Sequence, residues 1–437
     1  MITDDNKKLA QWAMEYALKN GCQAAKLVLY TNSNSSFELR DGKMDRLQQP
    51  TENGLGLNLY VDGRFGSSST NRLDKKELET LITNGIESTR YLAVDESRML
   101  ADPARYYKGG KPDLQLFDKK LYEVNPDDKV AIARAAAEEV LGKDERIISV
   151  DSSYSETARA LYTRMLNGEV PDLELGGILI ALRIKGEGEA RPQDYWYDSA
   201  LFYDKLTKAG IGAKALERVL RKLGQKKAKS GKYTMVVDPM NVGNLLSPML
   251  SALYGSALQQ KNSFLMDKLD TKVASDLFTL RDEPHAIGAN GSRYFDNEGV
   301  ATEPRTVFDK GVLKTYFIDT YNGKKMDIAP TISAPSRLIL TPGDKDLNGL
   351  VADIKQGILV TGFNGGNSNS TTGDFSYGIE GFLIEDGKLT QPVNEMNVTG
   401  NMVTLWNSLV AVGNDPQPNR SWQIPSLVFE GVDFSGL

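Results

Sequence analysis

The chain has 437 residues, of which 40% are apolar and 25% charged, a composition typical of a globular protein large enough for two or three domains. Its net charge of -6 argues against direct binding to nucleic acid, because that binding needs a basic surface. The sequence contains one histidine and one cysteine, which argues against a conventional zinc hydrolase or a hydrolase with a histidine base.

The N-terminal part predicts a helix, a β-meander and a second helix. Thr3 is placed to cap a first helix that ends before Gly21. Asp41-Gly42 and Asp62-Gly63 are typical of hairpin turns, and apolar residues recur at helical spacing over 75–91. Three short segments between these features have strand patterns: residues 25–30, 36–39 and 54–60.

The same order of patterns recurs further along the chain, which predicts an internal duplication. An alanine-rich helix at 128–141 is followed by strands from Ser149 onward, and a long helix, interrupted or bent near Gly210 and Gly212, is predicted over 202–223. The basic run 221–229 is interpreted as a solvated helix end and linker. We predict a boundary in this linker, with an N-terminal domain at 1–226 and a C-terminal domain at 227–437.

Strand and turn patterns dominate after this boundary. A strand at 233–237 and a helix at 242–258 are followed by short apolar alternations, which are separated by turn sequences such as Asp309-Lys310-Gly311. So many short strands favour a closed or nearly closed barrel, because an open sheet leaves unpaired edges. The predicted fold class is α+β, with an N-terminal α/β domain of mixed sheets and helices and a C-terminal antiparallel β-barrel-like domain.

The chain begins with polar and acidic residues, and no apolar run reaches the ~18 residues of a membrane helix. Cys22 has no second cysteine with which to form an intrachain disulfide. These features predict a cytoplasmic protein with no membrane association.

Few groups of residues in the sequence suggest a catalytic or metal-binding site. His285 has no other His or Cys near it in sequence and is interpreted as structural, and Cys22 is interpreted as a small buried residue. Asp296 and Glu298 would share one face of a strand, where paired carboxylates can act as acid and base. Beside Gly299 the same two residues are typical of a turn, so both interpretations stay open.

Residues 362–375 have the most unusual local composition of the chain. Gly365, Gly366, Asn367 and Thr372 can offer main-chain amides and small polar side chains to an extended peptide or an anion. The Gly-Lys-Ser/Thr ending of a phosphate-binding loop is missing. A long surface hairpin loop is the other interpretation of this segment.

Four segments in the C-terminal half resemble the PmbA/TldD family, whose members are also called modulators of DNA gyrase: residues 291–300, 311–316, 372–376 and 412–415. The resemblance extends over essentially the whole chain. It implies an α+β N-terminal domain and a β-barrel-like C-terminal domain. It also implies paired subunits, of which the TldD type is a metallopeptidase with a His-Glu-x-x-x-His helix, and the PmbA or TldE type lacks the metal site.

The residues that match this motif are Ser247, Pro248 and Ala252, which replace both histidines and the glutamate. The TldD type also has a cysteine in a segment that follows the position of Asp415, and this chain has none there. The resemblance therefore implies no metal and no cofactor in this chain, with zinc only in a TldD-type partner.

By this resemblance the chain is the non-catalytic PmbA/TldE subunit of a peptidase that degrades unfolded peptides or processes peptide precursors. Its partner is a TldD-type subunit in a heterodimer, or a second copy in a homodimer. Asp296, Glu298 and the 362–373 segment would help to form a peptide chamber and its entrance.

Two alternatives remain. One is a self-sufficient homodimeric peptidase centred on Asp296 and Glu298, and the other is a regulatory protein that binds DNA gyrase. The acidic composition argues against direct DNA contact in the second.

Overall fold

The first half of the chain alternates helices with long strands. The structure is a computed structural model that describes residues 2–164, 167–185 and 190–437. The helices of this half are α1 (Asp4–Lys19), α2 (Lys75–Thr89), α3 (Pro126–Glu138) and α4 (Ile211–Leu220). Its strands are β1 (Ala24–Arg40), β2 (Lys43–Gln48), β3 (Thr51–Val61), β4 (Arg64–Thr70), β5 (Ile147–Arg164), β6 (Asn167–Ile184) and β7 (Gln193–Ala200).

These strands form one antiparallel sheet in the order β4-β3-β1-β5-β6-β7, with β2 paired to the end of β1. The long strands β1 and β5 pair at the centre, from Leu27 opposite Arg164 to Arg40 opposite Asp151. On each side of this pair a helix precedes the strands and another helix follows them. The two halves of the sheet therefore have the same order of elements.

Both pairs of helices pack on one face of this sheet. Leu27 and Leu29 of β1 are buried with α1 and α2, and Phe37 and Leu39 of the same strand are buried with α3 and α4. These four residues share one parity along the strand, and alternate side chains of a strand point to the same face. A half-buried polar stretch that includes Ser33 lies between the two clusters.

Local signals set the ends of several elements as predicted. The Thr3 hydroxyl accepts a hydrogen bond from the Asn6 N–H at 3.2 Å, which caps α1. Both residues of Asp41-Gly42 and of Asp62-Gly63 have positive φ, between 50° and 75°. This conformation is the one that a tight hairpin turn requires, and it joins β1 to β2 and β3 to β4.

Two predicted elements of the first half differ from the structure. The segments 25–30 and 36–39 belong to one strand, β1, because the polar residues between them pair through their main chain with β3 and β5. The long helix predicted over 202–223 is shorter, since α4 begins only at Ile211. Gly210 precedes it with φ 81°, a left-handed conformation that separates α4 from the preceding turn.

The second half of the chain contains short helices and many strands. Its helices are α5 (Gly243–Ser251), α6 (Gly255–Gln259), α7 (Thr320–Met326), α8 (Leu347–Ala352) and α9 (Met402–Asn407). Its strands are β8 (Gly231–Val237), β9 (Leu280–Asp282), β10 (Arg305–Asp309), β11 (Val312–Leu313), β12 (Leu338–Leu340), β13 (Gln356–Ser368), β14 (Asp374–Glu385), β15 (Lys388–Asn401), β16 (Leu409–Val412), β17 (Trp422–Gln423) and β18 (Leu427–Ser435).

A closed barrel forms the centre of this half. The strands follow one another as β15-β14-β13-β8-β18, and β18 also pairs with β15, which closes the ring. Closure leaves no open edge in the ring for another chain to pair with. The fold is α+β with a barrel, as predicted, except that one neighbouring pair, β8 and β13, is parallel. A second sheet, in the order β11-β10-β9-β12-β17, lies outside the ring.

The chain passes from the first half to the second between the end of α4 at Leu220 and the start of β8 at Gly231. The boundary between 226 and 227 stays a prediction. Among the residues that the structure describes, no helix combines the length and the apolar character needed to span a membrane.

We predict that Trp406 contributes strongly to the stability of the barrel half. Its ring is fully buried, with centroids 4.4 Å from Phe278 and 5.6 Å from Phe429. Trp406→Ala should lower the free energy of unfolding by about 3–5 kcal/mol, because it leaves a large cavity. Urea denaturation followed by circular dichroism measures this loss.

Trp406→Phe is the matched control. It keeps a ring and removes an indole N–H that is buried without a hydrogen-bond partner in the described part of the chain, so we expect a much smaller loss. Equal losses for both variants would contradict the packing argument.

Candidate functional site

The three positions that match the metallopeptidase motif lie on and just after α5. Leu245, Leu246, Met249 and Leu250 bury one face of this helix in the core of the barrel half. Ser247 is exposed on the opposite face, Pro248 is half-buried, and Ala252, at the C-terminal end, is 1% exposed. Positions 247 and 252 are separated by roughly 140° around the helix axis.

These side chains do not fit a zinc ion. Zinc in proteins is bound by Cys, His, Asp or Glu, and here the positions offer one hydroxyl, a proline ring and a buried methyl group. Within residues 2–164, 167–185 and 190–437, no group of three or more such side chains is arranged to hold a metal ion.

The lone histidine and the lone cysteine have structural surroundings. His285 Nε2 lies 3.1 Å from the Thr302 hydroxyl, and its pKa is lowered by partial burial and by the charge of Lys111. Cys22 is buried beside the helices of the first half, and burial raises the pKa of its thiol to about 11. A thiol with so high a pKa is a poor nucleophile at neutral pH.

Asp296 and Glu298 lie in a turn and not on a strand. The Asp296 carboxylate accepts main-chain N–H groups of Glu298 at 2.9 Å, Val300 at 3.0 Å and Ser333 at 2.9 Å. The Glu298 carboxylate accepts the N–H of Thr320 at 2.9 Å and its hydroxyl at 2.9 Å, at the start of α7. The oxygens of both residues are therefore used in holding the main chain.

This turn also joins the two halves of the molecule. Lys26 of β1 donates a hydrogen bond to the Asn297 carbonyl, and Tyr106 forms a β-bridge with Val300. Burial lowers the pKa of Lys26, although Glu298 and then Asp296 act in the opposite direction. Burial likewise raises the pKa of Glu298, while the hydrogen bonds from Thr320 lower it. The turn is therefore a buried contact between the halves.

The glycine-rich segment is mostly strand, which corrects the prediction of a long loop. β13 continues to Ser368, and Asn367 is exposed but pairs with Ser376 of β14. Gly365 and Gly366, with φ 83° and 95°, form a bulge in this pairing. A Cβ on Gly366 would lie 2.1 Å from the Ser376 carbonyl oxygen, so the glycine permits this close approach.

Only residues 369–373 form the hairpin tip. The Thr372 hydroxyl donates to Asp374 at 2.7 Å, which places this side chain in the turn itself. Asn262, after α6, accepts hydrogen bonds from the hydroxyls of Ser370 at 2.6 Å and Thr371 at 2.5 Å. The tip is therefore held against the segment that follows α6.

The 412–415 segment has a structural role as well. Asp415 accepts hydrogen bonds from the N–H and the hydroxyl of Ser426, at 2.9 and 2.8 Å, and from the Leu347 N–H at 2.9 Å. It thereby links the turn after β16 to the start of β18 and to the start of α8.

Sequence reasoning missed a polar cavity of about 770 Å³ between the two halves. Its lining includes Gln193 and Lys222 from the first half and Asn241, Thr361 and Phe363 from the barrel half. Residues 240–241 directly precede α5, so the cavity lies beside the start of the helix that carries the motif positions.

A buried charge network forms part of the wall of this cavity. Lys222 Nζ lies 2.6 Å from Glu380 of the barrel and 3.2 Å from Asp194 of β7. Arg218 lies 3.3 Å from Asp194 and 4.0 Å from Asp238. The interpretation of residues 221–229 as solvated is therefore wrong for Lys222, which is 6% exposed. Its partner Glu380 is 158 residues away, so no local pattern indicates the pair.

Comparisons with known proteins show the family to which the chain belongs. Three models, each describing a part of the PmbA/TldA metallopeptidases, match the chain in succession: domain 1 at 25–89, the central domain at 119–223 and the C-terminal domain at 230–436. The chain belongs to the PmbA/TldD family.

Individual relatives match over nearly their full length. The chain is 27% identical to the metalloprotease PmbA homolog of Haemophilus influenzae, over 98% of this chain and 96% of that protein. It is 70% identical to a Bacteroides thetaiotaomicron protein that carries the name of a modulator of DNA gyrase; that crystal structure covers 100% of both chains with a TM-score of 0.98. TldE from Thermococcus kodakarensis, at 20% identity, shares the fold, with a TM-score of 0.81 over 98% of this chain and 100% of that one.

The network predicts a pH dependence of stability through Asp238. Burial raises the pKa of Asp238 to about 6, although the hydrogen bond from Asn241 and the charge of Arg218 act to lower it. An unfolded aspartate has a pKa of about 3.9, so between about pH 4 and 6 the folded state binds more protons than the unfolded state. The contribution of Asp238 to stability should therefore fall as the pH rises through this window.

Asp238→Asn should remove this part of the pH dependence, which urea denaturation at several pH values between 4 and 7 measures. Asp276→Asn, at an exposed position, is the control and should leave the profile as in the parent protein. An unchanged profile in Asp238→Asn would show that the buried carboxyl does not titrate in this window.

Proposed function

We propose that this protein is the non-catalytic PmbA/TldE-type subunit of a peptidase whose zinc site belongs to a TldD-type partner. The observation that carries the proposal is the chemistry of the three motif positions, where Ser247, Pro248 and Ala252 offer no zinc ligand of the usual types. The buried position of Ala252 supports it further, because a larger ligand side chain there would have to displace core atoms.

In this proposal the chain forms part of the peptide chamber, and the partner supplies the catalytic groups. Unfolded peptides or peptide precursors are the substrates, and the partner is a TldD-type subunit in a heterodimer or, in its absence, a second copy. The chain itself needs no cofactor, acts in the cytoplasm, and binds neither nucleic acid nor membranes directly. The metalloprotease names of its full-length relatives support an assignment to peptide hydrolysis.

The interdomain cavity and the hairpin are the parts of this chain that we assign to a shared peptide chamber. The base of the hairpin, at Gly362 and Asn364, lines the cavity beside the start of α5, and its tip is held by Asn262 after α6. Gly365, Gly366 and Asn367 lie between these two points, and Thr372 lies in the tip itself. A chamber that both subunits enclose would admit an extended chain and exclude a folded protein.

We predict that the purified chain binds no stoichiometric zinc and does not cleave unfolded casein. A mixture of the chain with a TldD-type protein should contain zinc and should cleave casein. Metal analysis and the release of peptides from casein measure the two properties. Ser247→Ala is the matched variant, since it removes the single hydroxyl of the three motif positions and should leave the activity of the mixture unchanged. About one zinc per isolated chain together with chelator-sensitive cleavage would refute the proposal.

The self-sufficient homodimeric peptidase makes a different prediction for Asp296 and Glu298. In our proposal these residues hold the interdomain turn, so Asp296→Asn and Glu298→Gln should lower thermal stability. Any casein cleavage by the purified chain should not depend on them. Loss of an intrinsic cleavage activity in variants that remain folded would instead support the homodimeric peptidase.

A regulatory role on DNA gyrase is the second candidate, favoured by the name of the relative with 70% identity. A change in gyrase supercoiling activity on addition of the purified chain would support it, with an unrelated acidic protein as control.

A further inference from the structure

Eight asparagines of this chain are followed directly by glycine: Asn20, Asn53, Asn84, Asn167, Asn290, Asn322, Asn348 and Asn364. Glycine has no Cβ, so its main-chain nitrogen is unusually free to attack the side-chain carbonyl carbon of the preceding asparagine. That attack closes a five-membered ring and releases ammonia. In a folded protein the reaction depends on whether the structure holds either of the two reacting groups.

The pair Asn364-Gly365 is held weakly. The register of β13 with β14 passes from Phe363 to Gly366, so neither residue of the pair has a partner opposite it. A Cβ added to Gly365 would meet no atom within 4 Å, which shows open space around this residue. Asn364 is exposed, and its Nδ2 lies 3.4 Å from Asn394 Oδ1, beyond the usual range of a strong hydrogen bond. Both reacting groups are therefore free to move.

In three other pairs the glycine nitrogen is engaged. Gly85 lies inside α2, where main-chain N–H groups form the hydrogen bonds of the helix. In α7, the Gly323 N–H donates to the Asp319 carbonyl at 2.9 Å. The Gly349 N–H donates to the Asp346 carboxylate at 2.8 Å, in the cap of α8. Each of these contacts has to break before the nitrogen can attack.

The side chains of three further asparagines are engaged. Asn20 donates to the Tyr16 carbonyl at 2.7 Å. The side-chain oxygen of Asn53 accepts the Thr31 hydroxyl at 2.8 Å, within the pairing of β1 with β3. Asn290 donates to a main-chain carbonyl at 3.2 Å. Among the pairs whose asparagine side chains the structure describes, Asn364-Gly365 therefore has the longest contact and no place in a helix or a strand register.

Asn364 also lines the polar cavity between the two halves, together with Asn394 and Gln193. Conversion of its amide to an acid would add a negative charge to this wall, because an aspartate with an ordinary pKa of about 3.9 is ionised at neutral pH. Glu380, the carboxylate of the same wall that comes from β14, already has Lys222 as its partner at 2.6 Å. The new charge would change the electrostatics of the cavity.

We propose that Asn364 is a site of spontaneous deamidation in the folded protein. The Gly365 nitrogen forms a bond to Asn364 Cγ, and the bond from Cγ to Nδ2 breaks. The proton of the attacking nitrogen leaves with Nδ2 as ammonia. Water then opens the ring at either of its two carbonyl carbons and gives aspartate or isoaspartate. The reaction needs only the chain and water, so it is independent of the function proposed above.

Peptide mapping by mass spectrometry tests the proposal on the full chain, after incubation in mildly alkaline buffer. Asn84 is the matched internal control, since it is also exposed and followed by glycine but lies in α2. We expect Asn364 to deamidate at least about tenfold faster than Asn84, because opening the helix costs free energy. Methylation by an isoaspartate methyltransferase identifies the isoaspartate product. Deamidation of Asn364 no faster than that of Asn84 would overturn the proposal.

The same measurement in guanidinium chloride separates fold from local sequence. In the unfolded chain the two asparagines should deamidate at rates within about threefold of each other, because the helix that protects Asn84 is lost. A tenfold difference that persists in denaturant would show that the fold does not select the site, and would contradict the structural argument.

Two variants identify the reacting atoms. Gly365→Ala should slow the reaction at least about tenfold, because its methyl group hinders the attacking nitrogen. Asn364→Gln should abolish it, since the longer side chain would have to close a six-membered ring, and it provides the second measurement if Gly365→Ala is unstable in a thermal melt. An unchanged rate in folded Gly365→Ala would overturn the proposal. The same holds if deamidation of this peptide persists in Asn364→Gln, because Asn367 or Asn369 would then be its source.

Discussion

A buried carboxylate whose oxygens accept three main-chain hydrogen bonds shapes the turn through which the two halves of this protein are in contact. Asp296 binds the N–H groups of Glu298 and Val300 within its own turn and of Ser333 beyond it. A buried carboxylate without such donors would be very costly, so the turn and the charge depend on each other. This turn pairs through its main chain with residues 105–107. Its Asn297 carbonyl accepts a hydrogen bond from the ammonium group of Lys26 in the first sheet.

The interdomain cavity lies where the two halves meet. The network of Arg218 and Lys222 with Asp194 and Glu380 forms a wall of the cavity. Recesses between domains are where ligand sites commonly occur. Meanwhile the closed ring of strands supports α5, so the motif positions are held by a rigid element although their side chains have no metal chemistry.

Features with local causes were predictable from the sequence. The Thr3 cap and the Asp-Gly turns need only their neighbours, and the apolar alternation after residue 231 indicated many short strands, which favour a barrel over an open sheet. The two sections of β1 were not recognisable as one strand, because the pairing that continues through its polar middle comes from β3 and β5. The glycine bulge of β13 was hidden for the same reason, since composition alone does not show what the main chain pairs with.

The sequence by itself determined which side chains stand at the three motif positions. Side-chain type is a property of each position, so Ser247, Pro248 and Ala252 exclude the metal motif whatever the fold. Only the tertiary structure decided which charges are buried and paired. Lys222 and Glu380 meet across 158 residues, and Arg105 is left without a described carboxylate partner although acidic residues outnumber basic ones in the chain as a whole. Burial and pairing depend on which distant segments the fold brings together, and no local pattern contains that information.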